Sequence, residues 1–161
     1  MKHFKLIISI IIVILWLVVI FIFSSMNENT SHIQSKKVVQ KIYINKQIVE
    51  NNKITKNNIQ KAKNKYDQKI RKIAHVTEFA ILNMLLVNLI YQLKEKFKLK
   101  YLIISIILTF IYACTDEIHQ IFVQGRTSSF IDVLIDTAGA ITTSLIIYVI
   151  YKINIHKIKA S

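Results

Sequence analysis

Seven ionisable side chains lie within or directly beside the apolar stretches of this 161-residue sequence. A charge at the centre of a bilayer costs about 2.5–3.5 kcal/mol on insertion scales, so such groups face the interior of a helix bundle, form pairs or line a wet cavity. Imidazole and carboxyl groups could also donate and accept protons in a reaction. The seven are His75, Glu78, Asp116, Glu117, His119, Asp132 and Asp136.

The spacing of these residues and their polar neighbours places them in pairs on single helix faces. Residues three or four positions apart lie on the same face of an α-helix. The pairs are His75 with Glu78, Asp116 with Gln120, and Asp132 with Asp136. We therefore predict one functional polar cluster, which also contains Glu117, His119 and Arg126.

Three basic residues flank this cluster and are predicted to bind an anion. The sequence contains only two arginines, Arg71 and Arg126, and Lys72 follows the first of them. A guanidinium forms two parallel hydrogen bonds to a carboxylate or a phosphate, which suits it to such a site.

Two other interpretations of the polar cluster stay open. Imidazole and carboxylate groups are also metal ligands, but none of the spacings is a recognised metal motif, so we predict neither a metal nor a cofactor. Polar side chains in membrane bundles often bond one helix to the next and do nothing more. Residues 137–144, "TAGAITTS", are small and are expected to permit close helix packing around Gly139.

Four apolar stretches must position the cluster. About 20 apolar residues cross a hydrocarbon core of about 30 Å as a helix, and the predicted helices cover about residues 6–23, 73–93, 101–120 and 130–151. A β-barrel would need short alternating segments, which these continuous runs are not. The fold class is therefore an all-α polytopic membrane protein, a four-transmembrane-helix bundle, in a single domain over residues 1–161.

The alternation of helix directions brings the polar residues to one membrane face. The second and fourth helices begin there, the third ends there, and the first ends there with Ser24 and Ser25. The opposite face carries the basic termini and the loop "KEKFKLK", so the positive-inside rule predicts cytoplasmic termini and an outer polar layer in the cell membrane. Twelve Lys or Arg between residues 24 and 72 oppose this orientation.

The segment 24–72 is predicted to be a Lys- and Asn-rich loop with two alternative structures. Val38, Val39, Ile42 and Tyr43 recur at helical spacing, which favours an amphipathic helix lying on anionic lipid headgroups. The alternative is a solvated, partly disordered loop. Lysines that flank membrane helices account for the net charge of +13, so membrane lipid and not nucleic acid is the predicted partner.

Three motifs in these helices resemble those of the VanZ-like family of bacterial membrane proteins. The resemblance rests on "RKIAHVTEFAILNMLL", on "YACTDEIHQIFVQGRTSSFIDVLIDTAGA" and on "FSS" at the end of the first helix. Asp136 stands where the family commonly has Asn. The matching residues are Lys72, His75, Glu78, Asp116, Glu117, Gln120, Gly125, Arg126, Asp132, Asp136 and Gly139.

The resemblance implies a function in the cell envelope of a Gram-positive bacterium and a link to tolerance of glycopeptides such as teicoplanin. On this basis the polar cluster is expected to bind an amphiphile, either a lipid-linked cell-wall precursor or a lipoglycopeptide. One alternative is an enzyme acting on a lipid phosphate or ester, with Asp116 or Glu117 as base and His75 or His119 as acid. The other is a purely structural membrane partner. The oligomeric state is not predicted.

Overall fold

The computed structural model describes residues 2–51 and 53–160 and contains five α-helices there. They are α1 (Lys2–Ser24), α2 (Glu28–Val49), α3 (Lys56–Lys94), α4 (Leu99–Gln120) and α5 (Phe130–Ala160). No strand occurs among these residues. The predicted all-α fold is confirmed, and α1, α3, α4 and α5 are long and apolar enough to cross a membrane.

The second predicted helix begins seventeen residues earlier than the hydropathy indicated. Hydropathy places its start near Ile73, where the apolar run begins, but α3 starts at Lys56 after an N-cap in which Thr55 accepts a hydrogen bond from the Asn58 amide at 3.3 Å. Residues 56–72 are polar and contain neither Pro nor Gly, so nothing interrupts the helix on the N-terminal side of the membrane. The polar residues before Ile73 therefore mark the end of the membrane-spanning part of α3 and not the end of the helix.

The rest of the segment 24–72 is also largely helical, because α2 has a partner. Asn27 caps α2 by accepting from the Thr30 amide at 2.9 Å. Asp67 of α3 accepts a hydrogen bond from the Ser35 hydroxyl and pairs with His32, and Val39 is buried. The predicted helix between the first two membrane helices is thus present, and it packs along the N-terminal part of α3.

α3 is the central helix and contacts each of the other four. The apolar core contains Ile20, Phe79, Leu82 and Ala113, all fully buried, together with Val133. Outside this core most large apolar side chains of the membrane helices are exposed, as expected for surfaces that face lipid.

Backbone carbonyls accept side-chain hydrogen bonds between helices near the core. The Trp16 indole of α1 donates to the Glu78 carbonyl at 3.0 Å, and the Tyr112 hydroxyl of α4 donates to the Leu17 carbonyl at 2.9 Å. Each bond satisfies a polar tip inside an apolar environment, as buried Trp and Tyr require.

The closest approach of two helices is between α3 and α5 at Gly139. A Cβ atom placed on Gly139 would lie 2.5 Å from the Val76 carbonyl oxygen, so only glycine allows these backbones to come this near. Two turns beyond Val76 on α3, the buried Asn83 amide donates to the Ala140 carbonyl at 3.0 Å and to the Ser144 hydroxyl at 2.9 Å. This is the close packing expected of the small-residue segment.

Candidate functional site

Polar residues of α3, α4, α5 and the connection between α4 and α5 lie together at one end of the bundle. We call ten of them the polar layer: Arg71, Lys72, His75, Glu78, Asp116, Glu117, Gln120, Arg126, Asp132 and Asp136. A cavity of about 110 Å³ opens within it, which is room for roughly three or four water molecules. Its lining residues are Glu28, Gln68, Arg71, Lys72, His75, Glu117, Gly125, Arg126, Thr127, Asp132, Ile135 and Asp136.

α3 supplies part of the polar layer from a single helix face. Arg71, His75 and Glu78 are spaced by four and three residues, so they follow one another along the helix. The His75 Nδ1 and Glu78 Oε2 atoms are 3.8 Å apart, too far for a hydrogen bond. Both atoms are buried and have no hydrogen-bond partner within the described residues. The face therefore presents polar groups whose bonding capacity is unused.

The last turn of α4 holds its carboxylates in place with local hydrogen bonds. The Gln120 amide donates to Asp116 at 2.8 Å, four residues earlier on the same face. The Ser129 backbone amide donates to Glu117 at 2.8 Å, which fixes the start of α5 against the end of α4. Asp116, Glu117 and Gln120 are all buried.

His119 is on the other side of α4, away from the cavity. Its Nε2 lies 3.0 Å from the Ser25 hydroxyl, and its ring contacts that of Phe21 at a centroid distance of 4.7 Å. A helix turns by 100° per residue, so His119 is 200° around the axis from Glu117. His119, which was predicted for the cluster, therefore lies against Phe21 of α1.

The connection between α4 and α5 depends on Gly125 and Arg126. Gly125 has φ +80°, a left-handed conformation that glycine adopts without steric cost, and its Cα faces the Glu28 side chain. Arg126 then points back and donates to the Met26 carbonyl at 3.2 Å and the Phe23 carbonyl at 3.4 Å. The connection between α4 and α5 is thus hydrogen-bonded to the end of α1 and to the residues that lead into α2.

The first turns of α5 complete the cavity. The Ser129 hydroxyl accepts from the Ile131 amide at 3.2 Å at the helix start. Asp132 pairs with the Lys72 ammonium at 2.8 Å, which ties α5 to α3. Asp136 lies one turn further along, is only 2% exposed and lines the same cavity.

Arg71 and Arg126 differ from Lys72, which pairs with Asp132, because neither arginine forms an ion pair with a carboxylate in the part of the chain that the structure describes. Within the described residues Arg71 makes no ion pair, and its buried Nε has no acceptor. Arg126 donates only to neutral carbonyls. Burial, and next the positive charge of Arg71, lower the pKa of the Arg126 guanidinium below its usual value. Both guanidinium groups thus line one cavity, and over residues 2–51 and 53–160 neither forms an ion pair with a carboxylate.

A second cavity of about 210 Å³ adjoins the first and shares Arg71, His75 and Arg126 with it. It lies between the end of α1, α2 and α3, and Glu78 also lines it. Most of its remaining lining is apolar: Phe23, Met26, Val38, Ile70 and Ala74. The charged cavity therefore adjoins a second cavity that has more apolar lining residues.

Sequence reasoning missed two sets of residues around this site. Glu28 and Gln68 line the charged cavity only because α2 and the start of α3 are helical and lie over the layer. Asn83, which joins α3 to α5, sits in an apolar run with no polar partner nearby in sequence. Over residues 2–51 and 53–160, no group of three or more His, Cys, Asp and Glu residues is arranged to hold a metal ion.

Comparison with known proteins gives one match. A family model described as VanZ/LLP1 matches residues 9–151, a range that reaches into all five helices and includes the entire polar layer. No curated protein and no solved structure matches the chain.

Proposed function

This chain belongs to the VanZ/LLP1 family, and we propose that its charged cavity binds the anionic headgroup of a membrane amphiphile. The two arginines bind the phosphate or carboxylate of the headgroup, and the adjoining apolar cavity takes the first part of its hydrocarbon chain. A lipid-linked cell-wall precursor and a lipoglycopeptide such as teicoplanin are both ligands of this chemical class.

The observation that carries this proposal is the pair of arginines without a carboxylate partner. A buried charge without a counter-charge is costly, and the cost is relieved when an anion binds. Arg71 has a buried Nε without an acceptor, and Arg126 lies close enough to repel it. An anionic group between them would accept charge-assisted hydrogen bonds from both guanidinium groups.

The nearby carboxylates form no ion pair with either arginine within the described residues, although Asp116, Glu117 and Glu28 attract the Arg126 guanidinium electrostatically. Local partners already hold three carboxylates of the polar layer: Asp132 with Lys72, Glu117 with the Ser129 amide, and Asp116 with Gln120. Their proposed role is to fix the cavity walls. Glu78, which has an unused oxygen in the second cavity, would accept a hydrogen bond from a hydroxyl or amine of the headgroup.

The second cavity favours an amphiphile over a small soluble anion. Its apolar lining begins where the arginines end and lies between α1, α2 and α3. A hydrocarbon chain in this cavity would be removed from water, which stabilises the complex by roughly 0.8 kcal/mol for each buried methylene. A soluble anion would gain only the interactions of the charged cavity.

Alkyl phosphate binding by the purified chain tests the proposal. Trp16 is the single tryptophan and donates to the Glu78 carbonyl, so its fluorescence reports on the site. We expect dodecyl phosphate, titrated into protein in dodecyl maltoside micelles, to give a saturable change. A charged hydrogen bond is worth about 1.5–3 kcal/mol, so Arg71→Gln should weaken binding by about 10–100-fold. Lys94→Gln, at the opposite end of α3, is the matched control.

The stability of the same variant separates a binding role from a structural one. Because the Arg71 Nε has no hydrogen-bond partner, Arg71→Gln should leave the thermal unfolding temperature unchanged or raise it. Dodecyl phosphate binding that is unaffected by Arg71→Gln would refute the proposal. Arg126→Lys keeps the charge but loses the planar fork, and we expect it to have an intermediate affinity.

Tolerance of teicoplanin tests the biological side of the proposal. A susceptible Gram-positive strain that expresses the chain should grow at higher teicoplanin concentrations than the same strain with an empty vector. Arg71→Gln and Glu117→Gln should remove this gain while the membrane level of the protein stays normal. Tolerance that is unchanged in both variants would contradict the proposed link. The outward orientation of the polar layer is part of the same prediction.

A further inference from the structure

The paired helices α2 and residues 56–70 of α3, with the turn between them, form a surface that we call the basic hairpin. It carries ten lysines between residues 36 and 69, and eight of them are exposed. Its three acidic residues already have partners: Glu28 and Asp67 contact His32, and Glu50 lies 3.7 Å from the Lys46 ammonium. Most of the lysine charge is therefore not compensated within the chain.

If α3 runs along the membrane normal and the hydrocarbon core begins at Ile73, the tip of the basic hairpin lies well beyond the bilayer. α3 contains no Pro or Gly, so it lacks the usual causes of a kink. Seventeen residues precede Ile73 in α3, and at 1.5 Å per residue they extend about 25 Å past the apolar span. The headgroup region takes up about 5–7 Å of this length. Lys53 and Lys56 are then more than one Debye length, about 8 Å, from the lipid charge.

This distance argues against the chain's own bilayer as the partner of the hairpin tip. Electrostatic attraction to anionic headgroups falls off within a Debye length. Lysines near the base of the hairpin can reach the headgroups, whereas those at the tip cannot. An anionic partner of the tip must therefore extend away from the membrane surface.

The composition of the hairpin argues against nucleic acid as that partner. Single-stranded nucleic acids bind to aromatic side chains on which their bases stack. Tyr43 is half-buried, and the Tyr66 ring has the ammonium groups of Lys65 and Lys69 at 5.3 and 6.0 Å from its centroid. The only arginine nearby, Arg71, lies in the charged cavity. The surface thus presents lysine charges beside one exposed tyrosine, Tyr66, and has no arginine fork that could read base edges.

We propose that the basic hairpin is a docking surface for a linear, base-free phosphodiester polymer. Successive lysines along α2, the turn and α3 neutralise successive phosphates, and affinity comes mainly from the release of condensed counterions. The proposal is independent of ligand binding in the charged cavity, because none of its lysines lines that cavity.

Polymer binding by two matched triple variants tests this proposal. The full chain in nanodiscs of zwitterionic lipid is titrated with poly(glycerol phosphate), and with single-stranded RNA of equal phosphate count, between about 50 and 200 mM salt. The hairpin variant is Lys53→Gln/Lys56→Gln/Lys61→Gln. The control, Lys96→Gln/Lys98→Gln/Lys100→Gln, removes the same charge from exposed positions at the other end of the bundle.

We expect the hairpin variant to bind poly(glycerol phosphate) at least about tenfold more weakly than the control. The slope of log affinity against log salt should become shallower by about 2, from roughly 0.7 per lost contact. Circular dichroism should show the same helix content in both variants, because every substituted lysine is exposed. Equal losses in the two triples would overturn the proposal, as would tighter binding of RNA or binding that requires anionic lipid in the nanodisc.

Discussion

Replacing Gly139 by alanine adds one methyl group at the point where α3 and α5 are closest. The new Cβ would lie 2.5 Å from the Val76 carbonyl oxygen, whereas ordinary contacts begin at 3.4 Å. A backbone carbonyl in a helix cannot rotate away, so the two helices must separate by nearly 1 Å at this point.

The cost of that separation follows from the contacts between α3 and α5 near Gly139. Overpacking of this kind costs about 1–3 kcal/mol. The bonds from Asn83 to Ala140 and Ser144, now 3.0 and 2.9 Å long, would stretch beyond hydrogen-bonding distance. Each is worth about 0.6 kcal/mol inside a membrane. Alanine is the better helix former by about 1 kcal/mol, so the net loss is about 1–3 kcal/mol.

Reversible unfolding of the purified protein, by increasing SDS in mixed micelles and followed by circular dichroism, measures this loss. Val76→Ala is the internal control, because it removes the Val76 Cγ1 atom, 3.2 Å from the added Cβ, but leaves the carbonyl oxygen. The double variant Gly139→Ala/Val76→Ala should therefore be no more stable than Gly139→Ala.

Whether Gly139→Ala lowers or raises the stability distinguishes a glycine required by tight packing from a glycine with open space beside it. If Gly139 had open space beside it, the alanine variant would gain about 0.5–1 kcal/mol from helix propensity. A measured gain in stability would refute the reasoning. Full rescue by Val76→Ala would show that a side chain, and not the backbone, sets the distance between α3 and α5.

Two further substitutions test the turn between α4 and α5 and the hydrogen bonds between α3 and α5. Gly125→Ala places a side chain at φ +80° and 3.1 Å from the Glu28 Cβ, so we expect the stability to fall by about 1–2 kcal/mol. Thermal unfolding in detergent measures this loss. An unchanged unfolding midpoint would contradict the expected backbone strain. Asn83→Ala removes the bonds to Ala140 and Ser144, and SDS titration should show a loss of about 1 kcal/mol. Stability equal to that of the unsubstituted protein would mean that those bonds contribute nothing.

The helix ends show where hydropathy succeeds and where it fails. The predicted ends of α1 and α4 agree with the structure to within a residue at Ser24 and Gln120, because there the membrane span and the helix stop together. α3 begins at Lys56 and not at Ile73, because a helix that finds a packing partner in water continues past its apolar segment. Val39 and Asp67 supply the contacts with that partner, α2, and no local pattern in α3 reveals them.

In the polar layer, too, some features follow from the sequence and others only from the packing of the helices. Alternating helices bring His75, Glu78 and Asp132 to one end of any up-and-down bundle, so their common level follows from the order of apolar and polar segments. The side of the helix that each residue occupies depends on the rotation of that helix. His119 was expected in the cluster and instead contacts Phe21 of α1 and Ser25, the residue after α1.

The sequence by itself determined the membrane class, the number of spanning helices and the level of the charged residues, because each follows from hydropathy and spacing along one chain. Only the tertiary structure decided that Lys72 pairs with Asp132, while Arg71 and Arg126 form no ion pair with a carboxylate of residues 2–51 and 53–160. Ion pairing depends on distances of a few ångströms between side chains of different helices. Those distances are set by how closely the helices approach, and Gly139 allows α3 and α5 to meet.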